Sequence, residues 1–361
     1  MNTNLTIKLL RTIGSPFIAE NKPVIPQNRE EALRLYEYAK KNKIELLYLT
    51  SLKDQEKLKD FGLECKYYEE FKKYNEQLIT AVRIAKLLNL SGVNYAIFKS
   101  IMPFPATPND VDIIHFGTDK EYNTLIEKIR LSGEYKEIVS PRGYPYSFKH
   151  DFHDARKCEH IDLYKKDIYD IDIYHGLTVS YIRYLSEKKI KKHITKIKIL
   201  NNEIKVLSPE ADLVAIIAHS IITEQLLTLL VYYATLYHLT EISINDFISI
   251  VRENYVTFPV KTHLSLVAEL HKAAHGFVPE KIKEMLAELG EETSERIKLL
   301  KNNLKMPYKY SLSSVIRTFL EKAREDKFRR SVVKQTVYML NPKLAKWVIY
   351  NILWRRIRET Y

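Results

Sequence analysis

Glycine is scarce in this sequence, with 9 glycines among 361 residues, or about 2.5% against a usual ~7%. The glycines stand too far apart to form GxGxxG, and neither GxxxxGK[ST] nor GxSxG occurs. These absences argue against dinucleotide binding by a Rossmann motif, P-loop nucleotide hydrolysis and the nucleophile elbow of an α/β-hydrolase.

Cysteine and long apolar runs are also scarce. Cys65 and Cys158 are isolated, which argues against a disulfide framework and a cysteine zinc site. The first residues contain no apolar core of signal-peptide length. The most apolar stretch, Leu213 to Leu239, is interrupted by polar residues at 219 and 223–225, which predicts a buried helix and not a membrane span. We therefore expect a cytoplasmic protein with no membrane partner.

The charge is concentrated near the C-terminus. The net charge is +12, and the segment from Arg296 onward has 17 basic and 4 acidic residues, so the preceding chain is close to neutral. A basic segment with interleaved aromatic residues favours a polyanion such as RNA; solvated helical faces are the alternative. Abundant Lys, Glu, Ile and Tyr is also typical of thermophiles. We select four arginines as candidate RNA or acceptor contacts: Arg329, Arg330, Arg355 and Arg356.

Apolar periodicity divides the chain into three regions. Residues 29–60 and 68–90 have the spacing of helices. Strand-like runs follow at 95–98 and 111–116, a capped helix begins after Thr118, and runs centred on Asp162 and Asp172 predict a hairpin. From Ser208 onward the pattern is almost wholly helical. We predict an α+β fold with an N-terminal helical region (1–90), a small mixed-sheet core (91–205) and a helical C-terminal domain with a basic tail (206–361).

Two paired aspartates are the main indication of a metal site in this sequence. Asp110 and Asp112 lie two apart on a predicted strand, so their side chains project from one face. Adjacent carboxylates repel unless a cation neutralises them, and oxygen ligands suit Mg²⁺. On this reasoning, removing either aspartate leaves the fold intact or stabilises it.

A later strand repeats the pattern with Asp170 and Asp172. If it lies beside the first strand, Asp172 supplies a third ligand and completes a two-metal site for in-line displacement at phosphorus. We favour Asp172 for this position, and Asp162 and Asp170 remain alternatives.

The string FKSIMPFPATPNDVDIIHFG resembles the signature of the polymerase-β-like nucleotidyltransferases: a small-residue turn, a spacer and two aspartates on one strand. It is most similar to their uncharacterised nucleotidyltransferase family, in which a Lys-Gly pair stands where this chain has Lys99-Ser100. IDIYHGL and LSPEADLVAIIAHS, with Asp172, His175 and His219, resemble the later segments of that family. Ser100 replaces the glycine, and Thr107-Pro108-Asn109 stand where an arginine is usual.

This resemblance implies a polymerase-β-like core and a transferase that moves a nucleoside monophosphate from an NTP to an acceptor hydroxyl. It implies that Asp110 and Asp112 hold two Mg²⁺ ions and the triphosphate, and that Asp172 binds the catalytic metal and orients or deprotonates the acceptor. Ser100, expected at a helix start, would meet triphosphate oxygens. Lys99 would add a positive charge there.

The acceptor stays open at this stage. The basic tail favours RNA, such as a transfer RNA end. A small hydroxyl compound of the aminoglycoside type and a protein side chain, as in toxin–antitoxin nucleotidylation, are alternatives. A catalytically inactive nucleic-acid-binding module of the same fold is an alternative from another class.

Two histidine motifs have structural interpretations as well. His271 and His275 have zinc-ligand spacing but lack the metalloprotease glutamate, which indicates a helical pair at a surface or interface. The segment HDFHD (150–154) is a polar loop that could alternatively bind the acceptor.

Overall fold

The computed structural model describes residues 4–18, 23–132, 136–137, 160–164, 169–174, 176–179 and 182–340, with positions 342, 345–346, 349–350, 353 and 357–358 beyond them. Helices precede the sheet: α1 (Leu5–Ile13), α2 (Arg29–Lys41), α3 (Glu45–Asp54), α4 (Leu58–Phe61) and α5 (Glu64–Leu90). The predicted helical range 29–60 is occupied by three separate helices, because Lys43 and Glu56 adopt left-handed backbone (φ 62° and 58°). That conformation ends a right-handed helix. The second predicted helix begins at Glu64 and not at 68.

The fold is α+β, and within the described residues its main sheet contains β1 (Tyr95–Ile97), β2 (Asp110–His115), β3 (Lys136–Glu137), β4 (His160–Tyr164), β5 (Asp170–Tyr174), β8 (Ile194–Ile199) and β9 (Asn202–Leu207). This mixed sheet has the strand order β3-β4-β5-β2-β1-β9-β8. The predicted pairing of the segments around 162 and 172 is confirmed, because β4 and β5 are antiparallel neighbours. Between β5 and β8 lie a small pair, β6 (Thr178–Val179) and β7 (Ile182–Arg183), and the short helix α7 (Glu187–Ile190).

Alternation along the strands separates two cores. Val111 and Ile113 of β2 lie in one apolar cluster with α5 and with the helix α6 (Asp119–Ser132) that follows β2. Ile114 of the same strand lies in the other cluster, formed with the C-terminal helices. Because alternate residues face opposite sides of a sheet, Asp112 lies on the side of Ile114, toward the C-terminal helices.

The C-terminal half is mainly helical. Its helices are α8 (Pro209–Ala218), α9 (Leu229–Glu241), α10 (Ile244–Glu253), α11 (Thr257–His275), α12 (Glu280–Leu289), α13 (Thr293–Lys301), α14 (Leu312–Lys322) and α15 (Asp326–Tyr338). A single buried helix over 213–239 was the expectation; that stretch is buried but is divided by a π-helical turn (His219–Glu224) and the short strand β10 (Leu226–Leu227). β10 pairs with β11 (Tyr308–Lys309).

The N-terminal and C-terminal helices share one apolar core. Leu9, Leu35 and Tyr48 from the N-terminal helices belong to the same cluster as Leu213 and Leu264. The helices before the sheet are therefore packed against those after it, which fixes N-terminal residues relative to the sheet. Within the described ranges, no helix is long and apolar enough to cross a membrane.

Candidate metal centre and its surroundings

Three aspartates converge where β2 and β5 lie side by side. The strands are parallel and in register, so that Asp112 is opposite Asp172. Carboxylate oxygens of Asp110, Asp112 and Asp172 all lie within 4.8 Å of one another. Asp112 is buried, and the other two are half-buried. The structure thus brings together the three carboxylates selected from the sequence.

This cluster fits the chemistry of Mg²⁺. Oxygens bound to one Mg²⁺ at 2.0–2.1 Å are about 2.9 Å apart in cis and about 4.2 Å apart in trans, and a pair of ions ~3.5–4 Å apart spreads the ligands further. A set within 4.8 Å is compatible with a pair of ions as it stands and needs at most a small contraction to bind a single ion. The three carboxylates carry formal negative charge that favours a cation, and the Lys99 ammonium offsets part of it.

Lys99 pairs with a cluster aspartate. Its Nζ lies 2.9 Å from Asp112 Oδ1 and over the rings of Phe98 and Tyr174, at 5.4 and 5.5 Å from their centroids. Burial opposes the charged ammonium, but the Asp112 carboxylate outweighs it and raises the pKa of Lys99. The pairing leads to the opposite expectation from the sequence: without Asp112, a largely buried ammonium would lose its ion-pair partner and the fold would be destabilised.

The backbone at Lys99 is held by the C-terminal half. Its φ is 47°, and its N–H donates to Asp212 Oδ1 of α8 at 2.7 Å. Asp212 Oδ2 in turn lies 3.5 Å from His238 Nε2. A buried carboxylate on α8 therefore fixes the turn that positions Lys99.

Ser100 is not at the start of a helix, which corrects the sequence expectation. No helix begins in the segment between β1 and β2. Instead, the Asp112 backbone N–H donates to Ser100 Oγ at 2.7 Å, and the hydroxyl lies 3.0 Å from Phe98 O and 3.3 Å from Asp112 Oδ2. Gln77 Nε2 donates to the Ser100 carbonyl. In this structure Ser100 holds the aspartate strand in place.

Two tyrosines near the carboxylates were missed by sequence reasoning. The Tyr174 hydroxyl donates to Asp172 Oδ2 at 3.3 Å, and burial together with the surrounding aspartates raises the pKa of Tyr174. Burial also raises the pKa of Tyr184, which lies edge-on to His219. Both phenols are protonated donors at neutral pH. The available signal was the position of Tyr174, two residues after Asp172 on one strand.

A chain of polar and charged groups leads from Lys99 to the C-terminal segment. His219 Nε2 is 3.4 Å from Lys99 Nζ and 3.7 Å from Glu224 Oε1. Glu224 forms an ion pair with Arg358, and the Arg358 guanidinium also donates to the Glu224 carbonyl. The π-helical turn, a feature often found at functional sites, carries His219 and Glu224 at its two ends. Sequence reasoning noted His219 but not its partners.

The remaining predicted positions lie elsewhere or outside the described part. Asp162 and Asp170 stand opposite Asp172 and Asp110 in the strand register, but their side chains are outside the described residues. Arg329 and Arg330 are exposed on α15 and pair with Asp326 at 2.9 and 2.8 Å. The other predicted positions outside the described residues are His175, Arg355, Arg356 and the segment 150–154.

His271 and His275 form no metal cluster with other residues of the described ranges. His271 is fully buried, not at a surface, and its ring nitrogens lie 2.8 Å from Ser15 Oγ and 2.8 Å from the Phe277 carbonyl. Burial lowers the pKa of His275 to about 4. His271 is therefore part of the helical interior, and His275 is half-buried beside it.

Comparison with known proteins adds no assignment. No family model matches this chain, and no curated protein matches it. The functional argument therefore depends on the side-chain arrangement around the three aspartates.

Proposed function

We propose that this chain is a Mg²⁺-dependent nucleotidyltransferase with a polymerase-β-like core. In the reaction, the acceptor hydroxyl oxygen forms a bond to the α-phosphorus of an NTP. The bond between the α-phosphorus and the oxygen that bridges it to the β-phosphate breaks, and pyrophosphate leaves. The convergence of Asp110, Asp112 and Asp172 from two parallel strands is the observation that supports this proposal. The sequence resemblance points to the same chemistry.

Each residue has a defined part in this proposal. Asp110 and Asp112 would hold the metal ions and, through them, the triphosphate; bound Mg²⁺ would neutralise charge on the phosphates. Asp172, which accepts a hydrogen bond from Tyr174, would orient the acceptor hydroxyl or take its proton. Ser100 and Lys99 would keep Asp112 in position before substrate arrives. Catalysis of this kind is mainly positioning and charge neutralisation.

RNA is the proposed acceptor, and a transfer RNA end is one example. The support is the excess of basic residues after Arg296 and the exposure of Arg329 and Arg330 on α15. Ion pairing of both arginines with Asp326 lowers the local positive charge. A small hydroxyl compound or a protein side chain is therefore the alternative acceptor, and an inactive nucleic-acid-binding module is the alternative from another class.

Transfer assays separate these functions. The protein is incubated with each α-labelled NTP, Mg²⁺ and total cellular RNA, and label is followed in RNA, in protein and in small molecules. Label that enters RNA with the wild type and not with Asp110→Ala supports the proposal. RNA binding without any transfer or Mg·NTP binding would favour the inactive module. Label in protein or in a small molecule would keep the chemistry and change the acceptor.

A further inference from the structure

The turn between α2 and α3 is fixed against the C-terminal helices. Asn42 is fully buried; its Oδ1 accepts from the Leu229 N–H at 3.3 Å, and its carbonyl accepts from the Leu230 N–H at 3.1 Å. The next residue, Lys43, has a φ of 62°. The start of α9 thus determines where the Lys43 side chain leaves the backbone.

The Lys43 ammonium lies beside the aspartate cluster. Its Nζ donates to Asn109 Oδ1 at 2.8 Å, and Asn109 directly precedes Asp110 in the chain. Burial lowers the pKa of Lys43, while the charges of Glu45 and Asp110 act in the opposite direction. A partly buried cation is therefore held at the edge of the cluster, within electrostatic reach of Asp110.

The two lysines at the site differ in how their donors are used. Lys99 has an ion pair with Asp112, a contact with His219 and two aromatic rings around it. The Lys43 ammonium makes one side-chain hydrogen bond within the described residues, to the neutral amide of Asn109. An ammonium has three donors, so Lys43 retains two, and a neutral amide acceptor is displaced more easily than a carboxylate.

We propose that Lys43 binds the phosphate chain of the nucleotide substrate, so that the N-terminal helices complete the substrate side of the aspartate cluster. This inference rests on the proposed function, because the cluster is what holds the phosphates near Lys43. Phosphate oxygens are strong anionic acceptors, and a lysine binds them as a point charge. In this arrangement Lys99 pairs with the aspartate cluster, and Lys43 binds the phosphates of the substrate.

The test uses Lys43→Asn and Lys43→Arg in the full chain, with Lys40→Gln as the matched control. Asparagine tolerates the left-handed backbone at this position better than most residues, which protects the fold. Lys40 is an exposed lysine in the last turn of α2, so its substitution removes the same charge nearby. The probe is inorganic tripolyphosphate with Mg²⁺, measured by calorimetry, and circular dichroism confirms that each variant is folded.

We expect Lys43→Asn to weaken binding of Mg²⁺-tripolyphosphate at least tenfold and to leave the affinity for Mg²⁺ alone unchanged or higher. Lys43→Arg keeps most of the affinity, and Lys40→Gln binds like the wild type. Equal binding by Lys43→Asn and the wild type would overturn the role of Lys43 and leave the proposed function standing. A wild type that binds neither Mg²⁺-tripolyphosphate nor any Mg·NTP would overturn both.

Discussion

Replacing Lys99 by methionine and Asp112 by asparagine probes the interaction that organises the metal centre. The two charged groups are 2.9 Å apart, and their side chains are 13% and 4% exposed. Removing one partner of a buried ion pair destabilises a protein by about 3–5 kcal/mol, since the other charge is left without compensation. Because Lys99 keeps some exposure and two neighbouring rings, we expect about 3 kcal/mol for each single variant, at the low end of that range.

The double variant distinguishes this explanation from loss of packing. With both charges gone, neither is left uncompensated, so the double variant is expected to cost no more than one single variant, a coupling of at least about 3 kcal/mol. The assay is urea denaturation in EDTA, followed by circular dichroism. Costs that add within about 0.5 kcal/mol would refute the reasoning, because they would indicate that the two side chains act independently.

Magnesium supplies a second readout of the same pair. The Lys99 ammonium occupies an oxygen of Asp112 that a metal ion would use. We therefore expect Lys99→Met to bind Mg²⁺ about tenfold more tightly, a gain of about 1.4 kcal/mol, while Asp110→Asn binds it more weakly. The measurement is the rise in melting temperature with Mg²⁺, compared with calorimetry. Weaker Mg²⁺ binding by Lys99→Met would contradict competition between lysine and metal.

Three further outcomes are expected. Asp172→Asn removes transfer but keeps Mg·NTP binding, and Asp162→Asn is much milder in initial-rate assays; the opposite ranking would exchange their roles. Burial, with the nearby Glu70 carboxylate, raises the pKa of Glu45 to about 7 from 4.5. The folded state then holds a proton that the unfolded state loses between these values, so stability is present below pH 4.5 and falls by about 3 kcal/mol as pH rises through 7. Glu45→Gln should therefore melt like the wild type at pH 4 and higher at pH 8; equal melting at both pH values would show that ionised Glu45 is accommodated. The last prediction replaces four arginines by glutamine: Arg329, Arg330, Arg355 and Arg356. If the tail binds RNA, the slope of the logarithm of RNA affinity against the logarithm of salt concentration becomes shallower by about 0.7–0.9 per lost contact, and the Mg·NTP affinity stays nearly unchanged. Unaltered RNA binding would favour a small acceptor.

Local patterns in the sequence were sufficient to predict most of the helices and strands around the site and part of the site itself. Alternation of apolar residues predicted β2 and β5. Asp110 and Asp112 stand two positions apart on β2, and this spacing placed them on one face of the strand. Helical spacing predicted α5 and α6. These features depend on neighbours within one strand or one helix, and local backbone geometry determines them. The breaks at Lys43 and Glu56 were missed, because neither is a residue type that marks a turn.

Only the tertiary structure decided which groups meet around the aspartates. Asp172 joins the cluster because β5 lies parallel to β2 in a particular register, and a shift of one residue would have turned it to the other face. Asp212 of α8 holds the Lys99 backbone, and the Lys99 side chain pairs with Asp112. Lys43 contacts Asn109, the residue before Asp110, and Arg358 contacts Glu224 of the π-helical turn. Such contacts depend on the packing of distant helices into one core, which no local pattern in the sequence encodes.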